Sequence, residues 1–139
     1  MTFESFSTDD TQKIAKNLAE NAQAGHIYAL DGELGAGKTA FSKGFAKGLG
    51  IVRDISSPTF AIINEYTCGR LPLYHFDVYR LQSSDDFFDA GLDDYFYAGG
   101  VSLIEWSQIV KDALPPHTTY IKIEKDFEKG ENFRRVIIC

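Results

Sequence analysis

The chain is 139 residues long, with 14 lysines and arginines against 20 acidic residues and a formal charge of −6. That length suits a single domain over residues 1–139 with its own core, and 44% hydrophobic against 24% charged residues excludes a disordered or fibrous chain. Net acidity also argues against a protein that grips nucleic acid unaided, because phosphate binding needs a basic face.

No apolar run approaches the ~20 residues of a membrane span, and Met1-Thr2-Phe3-Glu4 is not a basic-then-apolar leader. Cys68 and Cys139 show neither metal-site spacing nor a disulfide framework, which points to a reducing cytoplasm and no membrane.

In chain order, Ser7-Thr8-Asp9-Asp10 predicts a capped helix start. Ile14, Ala15, Leu18, Ala19 and Ala22 continue it at helical spacing until Gly25. His26 to Leu30 reads as a short apolar strand leading into glycines, and Lys38 to Leu49 is helical again, with Phe41, Phe45 and Leu49 four apart. Pro58 marks a loop. Phe60–Tyr66 and Leu71–Tyr79 predict two strands joined around Cys68-Gly69-Arg70. Ser83-Ser84-Asp85-Asp86 starts a short helix, Val101–Trp106 is a buried strand, and Ile109, Val110 and Ala113 form a helix stopped by Pro115-Pro116. Two alternating strands, Tyr120–Glu124 and Phe133–Ile138, follow with a turn at Gly130. The expected fold is α/β, of the P-loop NTPase type, with a mostly parallel central sheet, antiparallel additions and flanking helices.

Gly32-Glu33-Leu34-Gly35-Ala36-Gly37-Lys38-Thr39 satisfies G-x-x-x-x-G-K-[ST] between a predicted strand and a predicted helix. Glycines let the backbone wrap closely enough for successive N–H groups to face phosphate oxygens, and the helix beginning at Lys38-Thr39-Ala40 adds its positive N-terminus. Lys38 then reaches the β- and γ-phosphates of ATP, and the Thr39 hydroxyl joins the Mg²⁺ shell.

Two acids close apolar runs, Asp77 and Glu105, and strand C-termini would carry both towards the loop. Spacing leaves open which serves the metal and which the nucleophile. Trp106 follows Glu105 and is placed near the nucleotide. His26 and His75 lie in strand-like runs and are read as packing residues. The stretch from Asp85 to Asp94 has five aspartates and no base, interleaved with aromatics, and is expected to serve in part as a partner surface. Arg53, Arg70, Arg80, Arg134 and Arg135 are the arginines, none in a setting diagnostic of an in-cis finger, so slow turnover raised by partners is expected. A small-molecule kinase and a non-hydrolytic, ATP-dependent assembly switch use the same loop and stand as alternatives.

The P-loop, Ser57-Pro58-Thr59-Phe60, Tyr74-His75-Phe76-Asp77-Val78-Tyr79-Arg80, Gly91-Leu92-Asp93-Asp94-Tyr95-Phe96 and Leu103-Ile104-Glu105-Trp106 occur in this order. Together they resemble the TsaE (YjeE) family, bacterial ATPases of tRNA threonylcarbamoyladenosine synthesis. The resemblance implies action with TsaB and TsaD in modifying adenosine 37 of tRNAs that read codons beginning with A, tRNA being met only through the complex. It implies Glu105 beside Thr39 as metal ligand, Asp77 and Lys38 as hydrolytic residues, and Thr59 as a γ-phosphate sensor. Contacts to the base fall around Thr8 and Asn132. Many members of that family carry a further helical tail beyond the position of Cys139.

Overall fold

Ser7 opens the first helix, α1 (Thr8–Glu20), through a reciprocal pair of caps: the Asp10 N–H donates to Ser7 Oγ at 3.1 Å and the Phe6 N–H donates to Asp10 Oδ2 at 3.0 Å. The structure, a computed structural model, describes residues 1–33, 35–56, 58 and 62–139. After α1 come β2 (Ile27–Gly32), α2 (Lys38–Gly48), β3 (Ile63–Tyr66), β4 (Leu73–Asp77), α3 (Ser84–Asp89), β5 (Val101–Glu105), β6 (Thr119–Lys125) and β7 (Arg134–Ile138). Before it lies β1 (Thr2–Ser5).

The strands form one sheet in the order β1-β7-β6-β2-β5-β4-β3. β6, β2, β5 and β4 are mutually parallel, while β7 and β1 on one side and β3 on the other are antiparallel additions. A parallel strand covered on both faces must be apolar throughout, and Ile27, Tyr28, Ala29 and Leu30 of β2 are all buried. One face carries α1 and α2, whose Ala15, Ala19, Phe41 and Phe45, with Leu49 just past α2, pack on Leu30, Leu103 and Ile121. On the other, α3 and its neighbours bring Phe87, Phe96 and Val110 against Phe76 and Ile104.

The expected order of elements holds, with three differences. The strand β1 is absent from the sequence reading, because four residues carry too little pattern to stand out. It forms through pairing with β7, from Thr2 opposite Ile137 to Ser5 opposite Arg134. The expected helix around Ile109 is a 3-10 segment, Ser107–Ala113, distorted at Val110 (φ −114°) and too short to propagate an α-helix. In the acidic stretch, Phe87, Leu92 and Phe96 turn inward, with ring centroids of Phe87 and Phe96 5.6 Å apart. Of the aromatics there, Phe88 and Tyr97 are exposed, at 47% and 81%, while Phe87 and Phe96 are core and Tyr95, partly buried, packs against that core.

Candidate functional site

The segment between β2 and α2 reverses tightly. The Ala36 N–H donates to the Glu33 carbonyl at 2.9 Å, and Gly37 adopts φ +105° immediately before α2. A side chain disfavours that conformation. Gly37 makes no side-chain cap, so the first N–H groups of α2 are left for a ligand. Gly32 closes β2, Glu33 and Gly35 are exposed, and Ala36 is buried beneath the turn.

A cleft of about 330 Å³ opens beside this turn. Its walls are Gly35, Gly37, Lys38 and Thr39 from the loop and helix, with Asp77, Glu105 and Trp106 from the strand ends. Parallel pairing sets Asp77 directly opposite Glu105 at the C-terminal ends of β4 and β5. Glu105 is 3% exposed and lies against His75, whose Nε2 is 2.6 Å from its Oε2. Asp77 is partly exposed, and its Oδ1 accepts the Tyr79 N–H at 3.1 Å.

Trp106 is the one non-glycine residue at positive φ (+61°) among the described residues. Such a conformation costs roughly 1–3 kcal/mol and persists only when its surroundings enforce it. Here the chain turns sharply from β5 into the 3-10 segment, and Asp31 at the end of β2 secures that turn. Its carboxylate accepts the Ser107 N–H at 3.0 Å and also the Ser107 hydroxyl. The indole consequently lies under Lys38, whose Nζ is 3.9 Å from the ring centroid, with Tyr79 packed against it at 5.0 Å.

A smaller recess of about 60 Å³ adjoins the first through Gly37. Thr8 from the start of α1, Asn132 from the turn before β7, and Ala40 line it, so the two positions expected to meet the base come together. Arg134 borders the same recess. Its Nε donates to the Ala36 carbonyl at 3.0 Å and its Nη2 to the Gly35 carbonyl at 3.3 Å.

The expected site residues Gly32, Glu33, Gly35, Ala36, Gly37, Lys38, Thr39, Ala40, Asp77, Glu105, Trp106, Thr8 and Asn132 therefore fall on one loop and two adjoining hollows. Leu34 and Thr59 lie outside the described residues. Two participants were missed, His75 and Arg134. His75 shares a face with Asp77 by the two-residue period of a strand, a signal that marks it once Asp77 is suspected. Arg134 carries no such signal, since its role depends on β7 passing beside the loop.

Among the described residues no three of His, Cys, Asp and Glu cluster tightly enough to hold a metal alone. Thr39, Asp77 and Glu105 offer hard oxygen donors in one cleft. That set fits Mg²⁺, which keeps several waters and is bound by one or two protein groups plus phosphate oxygens. No helix among the described residues is long and apolar enough to cross a membrane.

A family model described as "Threonylcarbamoyl adenosine biosynthesis protein TsaE" matches residues 5–136. The tRNA threonylcarbamoyladenosine biosynthesis protein TsaE of Bacillus subtilis is 48% identical over 130 residues, which is 92% of this chain and 81% of that protein. Its namesake from Treponema pallidum is 45% identical over 117 residues, 84% of this chain and 86% of that one. The crystal structure of Bacillus subtilis YdiB superposes with a TM-score of 0.83 at 41% identity, covering 98% of this chain and 82% of the other.

Proposed function

The chain belongs to the TsaE family of tRNA threonylcarbamoyladenosine biosynthesis, and from that premise we propose that its cleft binds and hydrolyses Mg·ATP in the service of that modification. In this reading it works with TsaB and TsaD on adenosine 37 of tRNAs decoding A-initial codons, meeting tRNA only through the complex. The observation that carries the reading is the convergence of Lys38, Thr39, Asp77 and Glu105 on one cleft at the open N-terminus of α2.

The chemistry follows from those positions. Backbone N–H groups around Gly37 and the Lys38 ammonium oppose the charge of the β- and γ-phosphates. Lys38 leaves the Trp106 face to do so. Thr39 Oγ1 and the Glu105 carboxylate would hold Mg²⁺, which would supply positive charge to the phosphates. Asp77, more exposed than Glu105 and directly beside it, orients the attacking water. Thr8 and Asn132 flank the base in the smaller recess.

No arginine lines the cleft among the described residues. Arg70 is bonded to the carbonyls of Ala19 and Ala22, Arg134 to the loop, and Arg135 to Asp126. With Lys38 as the cation in the cleft and no arginine in its lining, hydrolysis by the isolated chain is slow and the partners supply a further positive group.

The deciding experiment is phosphate release from Mg·ATP, measured with and without TsaB, TsaD and tRNA. Release accelerated by the partners is the expected result; equal rates refute the partner dependence, and a phosphorylated acceptor identifies a kinase instead. Lys38→Ala abolishes nucleotide binding, whereas Asp77→Ala binds ATP without cleaving it. Full modification activity of the Asp77→Ala protein would identify a non-hydrolytic switch.

A further inference from the structure

We propose that His75 is a positioning residue that selects the rotamer in which Glu105 meets the metal, an inference that rests on the nucleotide-cleft reading above. His75 and Glu105 are 1% and 3% exposed, and the 2.6 Å separation of Nε2 from Oε2 is that of a short, charge-assisted hydrogen bond. A carboxylate at that depth needs donors, because burial without them costs far more than the bond returns.

The strand register explains how the pair forms. Glu105 sits opposite Asp77, and His75 is two residues earlier on the same face of β4, so it reaches Glu105 diagonally from below while Asp77 stands level with it at the cleft. The two β4 side chains thus bracket one carboxylate, the inner holding it and the outer facing solvent.

The second ring nitrogen decides between this role and ordinary packing. His75 Nδ1 is buried and has no hydrogen-bond partner among the described residues. An imidazole kept only to fill space leaves a polar atom stranded where leucine would leave none, so the fold gains from His75 chiefly through Nε2. With the Glu105 carboxylate as acceptor, Nε2 is the donor of this pair. Groups that fix a metal-ligating side chain from behind typically change metal affinity by about 10–100-fold when removed.

The test uses Mn²⁺ as the probe. Free Mn²⁺ is followed by electron paramagnetic resonance during titration of the full chain with saturating ADP, and ADP affinity is measured separately in EDTA. His75→Leu removes the donor at similar volume and is expected to weaken Mn²⁺ binding by roughly 10–100-fold, with metal-free ADP affinity unchanged. His75→Gln, whose amide nitrogen falls near the Nε2 position, restores binding; His75→Asn, whose donor falls near Nδ1, does not. Unchanged Mn²⁺ affinity in a folded His75→Leu protein overturns the proposal. So does equal affinity of the Gln and Asn variants, a comparison that stands even if the Leu variant fails to fold. If the unaltered chain with ADP takes up no Mn²⁺, the cleft reading itself falls, a result distinct from either.

Discussion

Replacing Arg134 with alanine tests whether β7 holds the nucleotide loop in shape. The guanidinium donates to four carbonyls: Ala36 at 3.0 Å, Gly35 at 3.3 Å, and Glu131 and Phe133 at 2.7 Å each. A trans peptide points its C=O and the next N–H in opposite directions, so gripping the Ala36 carbonyl from outside aims the Gly37 N–H inward. Hydrogen bonds to a charged group contribute about 1.5–3 kcal/mol each when well shielded. This side chain is only half-buried and water replaces part of what is lost, so the two loop bonds together are worth about 1–2 kcal/mol. Nucleotide affinity should therefore fall by roughly 5–30-fold. Isothermal titration with ADP, alongside a thermal melt, measures it directly. Arg134→Lys is expected to fall close to alanine, because a single ammonium cannot fork to both carbonyls. An unchanged ADP affinity in a folded Arg134→Ala protein would refute the reasoning and leave Arg134 a brace for β7 alone.

Three further outcomes follow from the same geometry. Gly44→Ala would normally favour a helix by about 1 kcal/mol, but here the added Cβ would sit 2.3 Å from the Gln12 carbonyl oxygen and 2.6 Å from Gln12 Cα in α1. We expect about 1–3 kcal/mol of destabilisation and a lower melting temperature; a higher one would show slack between α1 and α2. On the proposed reading Mg·ATP would draw Lys38 off the Trp106 ring, so Trp106 emission should change on saturation, and Lys38→Ala should shift the free-protein emission and abolish the response. No change at saturating Mg·ATP would contradict that placement. Charge reversal at Asp89 and Asp93 with Phe88→Ser and Tyr97→Ser should weaken assembly with TsaB and TsaD while leaving ADP affinity intact; assembly that survives would mark that face as merely solvated.

What the sequence made legible divides along a physical line. The loop from Gly32 to Thr39 is readable because its chemistry is local: glycines, a lysine and a hydroxyl at fixed spacing between a strand and a helix. Asp77 and Glu105 were readable as strand-end acids, and parallel pairing did the rest by setting them side by side. Thr8 and Asn132 came only from family resemblance, since no spacing rule links them. His75 and Arg134 depend on which strands become neighbours, and a one-dimensional pattern does not hold that information. How the aromatics from Phe87 to Phe96 divide between core and surface was hidden for a related reason. The acids between them advertised a surface, while the rings found Phe76 and closed a second core.

The position of β2 also bears on how the chain acquires its site as it is made. The strand that launches the nucleotide loop hydrogen-bonds to β5 and β6, whose first residues are Val101 and Thr119. A ribosome therefore exposes Ile27 to Leu30, an uncharged and partnerless stretch, long before either neighbour exists. Arg134 and Asn132 follow later still. The growing chain thus carries the loop's sequence early and the loop's shape late, once β5, β6 and β7 have all been made.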